Sequence, residues 1–170
     1  MAHKEQTEFV IECLNLIKKE FSYPNVLEVG SYNVNSIVDY KKYIGNCNYT
    51  GIDLIEGHNV DVVLKGEDIS KLGQKYNIII CCECFEHTKN WKIIFSEMIK
   101  YIEDGGYIII TVASTGRAEH GTERTNNSDS PGTGDYYKNI NKNDFFKNFN
   151  IKKIFKDFFF FYNINSYDLY

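Results

Sequence analysis

Carboxylates recur in this chain just behind runs of apolar residues. Glu28 stands in NVLEVG with Gly30 and Ser31 after it, and Asp53 and Leu54 close GIDL. Gly66, Glu67 and Asp68 follow VVLK, and Cys82 and Glu83 end YNIIICCE, with Glu86 and His87 three residues on. Each has chemistry available. Gly30 lets backbone approach a ligand closely. A carboxylate placed like Asp53, about 20 residues past such a turn, can accept hydroxyl hydrogen bonds from a ribose. Acidic groups also suit a cationic ligand. Taken singly, Glu28 or Asp53 reads equally well as a helix cap or a surface carboxylate; the ordered series does not.

A base of near-neutral pKa is the other chemical requirement for many transfers, and histidine supplies it. The chain has His3, His58, His87 and His120. His87 follows Glu86 and His120 follows Glu119, so these two are the candidate catalytic groups. Either also reads as structural, His87 as a helix cap and His120 as a surface residue. Both arginines, Arg117 and Arg124, fall in the polar segment 114–135, in a chain that otherwise uses lysine. A guanidinium fork grips a carboxylate or phosphate as lysine cannot. Arg117, Glu119, His120 and Arg124, with Tyr136 and Tyr137 just beyond, are therefore the candidate substrate-binding set.

These groups need a scaffold. Apolar spacing predicts a helix over 7–21, ended by Pro24. Strands are expected at 25–30, 49–54, 60–64 and 76–84, the last apolar on both faces like a central parallel strand. A helix over 35–44 is capped by Asn35 or Ser36, and another covers 90–102. A turn at Asp104-Gly105-Gly106 leads to a strand over 107–113. Asn141 and Asp144 open a helix over 141–148. Two terminal strands lie within 150–163 and 165–170, and the run 158–161 reads as a buried strand, or as a dimer contact if exposed. Strands alternating with helices argue for one α/β domain, a mostly parallel sheet with helices on both faces. Ligands of such sheets lie at the carboxyl ends of the strands, where the acidic residues stand. The segment 114–135 has no Val, Ile, Leu or aromatic residue and reads as a lid over that edge.

Composition removes other classes. The chain has 170 residues, 43% hydrophobic, with net charge -4. No apolar run approaches the roughly 20 residues of a membrane helix, and the first residues lack a secretory pattern. Five cysteines, three of them bunched at 81, 82 and 84, make a poor disulfide framework, so a cytoplasmic location is expected. Cys81 and Cys82 must face opposite sides of a strand, and no metal site is expected. The acidic balance makes nucleic acid an unlikely partner.

The segments NVLEVGSYNVNSIVDY, YTGIDLIEGHNVDVV, YNIIICCECFEHTKNW and DGGYIIITVA, in that order, resemble the class I S-adenosylmethionine-dependent methyltransferases over about residues 24–115. The stretch GRAEHGTERTNNSDSPGTGDYYKN is similar to a subgroup of small bacterial and phage-type methyltransferase-domain proteins. The resemblance implies a Rossmann-like doubly wound, mostly parallel seven-stranded sheet with an antiparallel last strand. It also implies S-adenosylmethionine as cofactor and S-adenosylhomocysteine as product. Cofactor-binding residues carried over are Glu28, Gly30 and Ser31 at the methionine part and Asp53 with Leu54 at the ribose. Gly66, Glu67 and Asp68 would border the adenine, and Cys82 and Glu83 would lie beside the methyl group. Two positions depart from the pattern: Tyr32 replaces a second glycine, and Lys65 replaces an acidic residue. The acceptor expected is a small molecule or sugar-type metabolite, the chain acting as monomer or homodimer. A non-catalytic module that holds the cofactor within a complex is the alternative. A dinucleotide-binding reading is disfavoured, because GSYNVN lacks the glycines a pyrophosphate needs.

Overall fold

The computed structural model describes residues 4–34 and 38–170. Seven strands form one sheet: β1 (Asn25–Val29), β2 (Asn48–Asp53), β3 (Val62–Val63), β4 (Tyr76–Cys82), β5 (Ile102–Ala113), β6 (Tyr162–Asn163) and β7 (Asp168–Leu169). Their order is β3-β2-β1-β4-β5-β7-β6. Strands β1 to β5 pair in parallel, β7 runs antiparallel to β5, and β6 antiparallel to β7. This is the expected doubly wound arrangement with its antiparallel last strand.

The central strand β4 is covered on both faces, which its unbroken apolar sequence requires. Side chains alternate across a strand, so Ile78 and Ile80 pack with Val10, Leu14 and Val26 on one face. Ile79 and Cys81 pack with Phe95, Met98 and Phe85 on the other. The first face is covered by α1 (Lys4–Ile17) and α2 (Lys41–Ile44), the second by α3 (Trp91–Tyr101) and α4 (Lys142–Asn148). As expected, Cys81 and Cys82 diverge: Cys82 packs against the α1 side. No helix among the described residues is long and apolar enough to cross a membrane.

Several elements differ from expectation for identifiable reasons. Among the described residues of the expected second helix only Lys41–Ile44 is helical, and the Asn35 or Ser36 cap lies outside the described residues. The chain between β3 and β4 forms 3-10 turns at Gly66–Leu72. Strand β5 begins at Ile102 and runs through the expected turn, with a register shift after the Tyr76–Ile102 pair and Gly105 at φ +76°. Residues 103–106 bulge out of the ladder, which resumes at the Ile78–Tyr107 pair, the expected start of the strand. The capping box forms as read: the Asn141 side chain accepts from the Asp144 amide at 3.3 Å, and the Asp144 carboxylate accepts from the Asn141 amide at 2.9 Å.

The expected late strand over the phenylalanine run does not form. A short helix α5 (Ile151–Ile154) precedes it, and Phe159 and Phe161 are 65% and 53% exposed. The sheet edge offers this segment only the two residues of β6, so most of the run lies outside the ladder.

The α3 face depends on one aromatic cluster. Phe95, 3% exposed, meets the rings of Phe85, Phe145, Phe149 and Phe155 at centroid distances of 6.2, 5.4, 4.8 and 6.2 Å. Phe95→Ala is expected to lower unfolding free energy by about 3–5 kcal/mol in urea titrations.

Candidate functional site

At the carboxyl ends of β1, β2 and β4 the sheet opens into a cavity of about 370 Å³. Its geometry starts at the turn after β1. Gly30 has φ +75°, and a Cβ there would come within 3.1 Å of the Cys84 Cβ. The Gly30 and Ser31 amides donate to the Ile52 carbonyl at 2.9 and 3.0 Å. The Asp53 carboxylate then accepts from the Tyr32 amide at 3.0 Å and the Leu54 amide at 2.6 Å. Asp53 thus braces the turn while remaining part of the cavity wall. Tyr32, the departure from the usual second glycine, lies over Gly57, where a Cβ would come within 2.3 Å of its ring. The bulky side chain rests on another glycine and is itself part of the cavity wall.

Glu28, Gly30, Ser31, Asp53, Leu54, Gly66, Glu67, Cys82, Glu83 and His87 all line this cavity. Asp68 does not; it pairs with Lys71 at 2.9 Å on the surface. The acids are not evenly solvated. Glu28, 6% exposed, accepts a short hydrogen bond from the Tyr49 hydroxyl, and burial pushes its pKa up to about 8. Glu83 adopts φ +49°, a conformation costing an L-residue about 1–2 kcal/mol. Both its carboxylate oxygens are buried without a hydrogen-bond partner. Burial, then the neighbouring Glu86 and Asp168, raise its pKa well above the ordinary range.

Beside Glu83 a second polar group gathers. Glu86 is fully buried; Oε1 accepts from the Ala113 amide at 3.3 Å and Oε2 has no partner. Burial raises its pKa to about 7. The His87 and His120 rings meet edge to face at 4.9 Å, and Tyr137 packs against them at 5.6 and 4.9 Å. Burial lowers the His87 pKa to about 3 and that of His120 to about 4, so both are neutral rather than poised near neutrality. Only His87 of this group reaches the cavity wall.

The expected substrate-binding arginines are placed elsewhere. Arg124 bonds Glu119 at 2.8 Å and Asp135 at 2.7 Å, closing the loop on itself. Arg117 donates to the Ser166 carbonyl at 2.7 Å and lies 3.7 Å from the buried Asp168, tying the loop to β7. Their forks grip carboxylates of the protein, so neither arginine nor Glu119 forms part of the cavity wall. Tyr136 lies outside it too, under Lys89 at 5.6 Å. The loop reaches the site instead through residues the spacing did not single out, Ser130, Pro131, Gly132 and Thr133, which wall the cavity. Gln6 and Tyr40, joined by a 2.8 Å hydrogen bond, complete it from the α1 side. A signal for Gln6 existed: it extends the buried stripe Val10, Leu14, Ile17 by one helical turn.

A family model described as Methyltransferase domain matches residues 1–158, and the chain belongs to that family. No curated protein matches the chain in sequence. Among solved structures, the plantazolicin methyltransferase BamL, in complex with a triazolic desmethylPZN analog and SAH, is 21% identical. That match covers 65% of this chain and 48% of that one, with a TM-score of 0.51. An S-adenosylmethionine-dependent methyltransferase from Clostridium acetobutylicum ATCC 824 is 13% identical, over 67% of this chain and 52% of that one, at 0.51. The CurJ carbon methyltransferase is 15% identical, over 87% and 46%, at 0.60. These likenesses are of fold, and the chain spans about half the length of the proteins it matches.

The buried Glu28 carboxyl makes a pH-dependent contribution with a definite sign. Below its ordinary value of 4.5 both folded and unfolded chains hold the proton; between there and about 8 only the folded chain does. Stability is therefore lost as pH rises through that window. Glu28→Gln keeps an acceptor for Tyr49 and removes the titration. The variant should gain on the natural chain by on the order of a few kcal/mol between about pH 5 and about pH 8.5, read from urea midpoints.

Proposed function

We propose that this methyltransferase-domain chain binds S-adenosylmethionine at the sheet edge and transfers its methyl group to a small-molecule or sugar-type acceptor. The carboxyl lining of the cavity carries the reading: burial holds the proton on Glu28 and Glu83 in the ligand-free chain, and a cation arriving there can displace it. Glu28, Asp53, Glu67, Glu83 and Asp129 line it among the described residues, against one cation, Lys65. S-adenosylmethionine brings a sulfonium and an ammonium into such a wall, whereas a dinucleotide brings a pyrophosphate that these acids repel. In this reading Gly30 and Ser31 pass the methionine part, Asp53 takes the ribose hydroxyls, and Gly66 and Glu67 border the adenine. Glu28, Cys82 and Glu83 face the charged end.

Transfer from a sulfonium starts with an activated leaving group, so alignment of the acceptor is the main requirement. His87 and the Ser130–Thr133 wall frame the remaining opening. The cavity is at the small end of ligand pockets, which favours a compact acceptor. Methyl transfer to a metabolite pool, followed with labelled donor, separates this reading from a module that binds the cofactor without turnover.

Loss of the ribose contact is the direct test of the donor site. Asp53→Ala removes charge-assisted hydrogen bonds worth roughly 1.5–3 kcal/mol. Calorimetry should show S-adenosylhomocysteine affinity falling at least about tenfold, with circular dichroism unchanged. Undiminished affinity would contradict the assignment.

A further inference from the structure

The group behind His87 has more acceptors than donors. His120 Nδ1 lies 3.1 Å from the Ala118 carbonyl, which only accepts, so Nδ1 carries the proton and Nε2 presents its lone pair. That Nε2 is buried without a partner. His87 Nδ1 is buried without a partner as well, against Gly121, where a Cβ would come within 3.2 Å of it. Glu86, 0% exposed, uses Oε1 on the Ala113 amide and leaves Oε2 unpaired. One candidate ligand atom from each of the three residues lies within 4.8 Å of the other two. No hydrogen bond joins any pair of them. Buried polar atoms that converge without hydrogen-bonding one another are costly unless something lies between them.

We propose that Glu86, His87 and His120 hold a single divalent transition-metal ion, of the class bound by two imidazoles and a carboxylate. That donor set suits zinc or its first-row neighbours. The outer contacts are those of a ligand set: the far nitrogen of His120 is fixed by a backbone carbonyl, and the far oxygen of Glu86 by a backbone amide. A tetrahedral ion at about 2.1 Å from each ligand draws the ligand atoms to about 3.4 Å apart. Reaching that spacing from 4.8 Å takes side-chain shifts of about an ångström. Tyr137 packs its ring against both imidazoles, and its hydroxyl is buried and unpartnered. Three protein ligands leave a position for an acceptor oxygen, and His87 puts that position next to the proposed methyl-donor cavity.

The ion's binding is measured without any methyl donor, so it stands or falls apart from the methyl-transfer reading. The 170-residue chain, stripped with chelator, is titrated with zinc by calorimetry and with cobalt by absorption. One saturable equivalent is expected, and a cobalt spectrum without the thiolate-to-metal charge-transfer band that Cys82 or Cys84 would give. His120→Ala, a loop change, should weaken zinc binding on the order of 100-fold, and His87→Ala likewise, with thermal melting confirming that each variant is folded. Absence of saturable binding, full affinity in both folded variants, or a thiolate band would each overturn the proposal.

Discussion

Carboxyl groups buried at the ends of adjacent central strands are the constraint on which the site depends. Strands β1 and β4 pair directly, with Val29 opposite Cys81, so Glu28 and Glu83 meet the same cavity from neighbouring strands. The chain shields them from water yet supplies little positive charge. Glu28 has a tyrosine hydroxyl and Glu83 the neighbouring Thr111 hydroxyl, neither of them charged. Such an arrangement weakens the ligand-free protein and rewards a cationic ligand, because desolvated charge is worth most where a partner arrives. The strained backbone at Glu83 belongs to the same site, a non-glycine residue in the left-handed region at a binding edge.

The polar loop after β5 serves the edge in a different way from its composition. Its arginines are taken up by the protein's own carboxylates: Arg124 with Glu119 and Asp135, and Arg117 with the β7 end of the sheet. With those anchors made, small residues do the contacting. Gly121 admits the His87 ring, and Gly132 packs on Ile55 and lines the cavity. A loop pinned at its arginines holds His120 against His87 with no apolar core of its own.

What could be read from the sequence followed physical locality. The apolar run of β4, the stripe of α3 and the capping box at Asn141 depend on neighbours within a few residues, and each formed where spacing placed it. That Asp53 and Gly30 would stand at one edge of the sheet was legible because both fall at the ends of strands, and both line the cavity there. The partners of Arg117 were not: Ser166 and Asp168 are 49 and 51 residues distant in sequence, and spacing holds no record of such a pairing. The length of β5 was hidden too, since Asp104-Gly105-Gly106 signals a turn locally, while the ladder with β4 takes up Ile102 before it and Tyr107 after it. His87 and His120 were visible as separate candidates, but their meeting with Glu86 came only with the folded loop. The expected near-neutral base gave way to buried, neutral imidazoles for the same reason.

The central claim is that the acidic cavity at the sheet edge is built for the cationic methyl donor. Calorimetric titration of the natural chain with S-adenosylmethionine and, separately, with NAD tests it most directly. The account predicts saturable one-to-one binding of S-adenosylmethionine and no detectable heat from NAD. Binding of NAD with none of S-adenosylmethionine would contradict it.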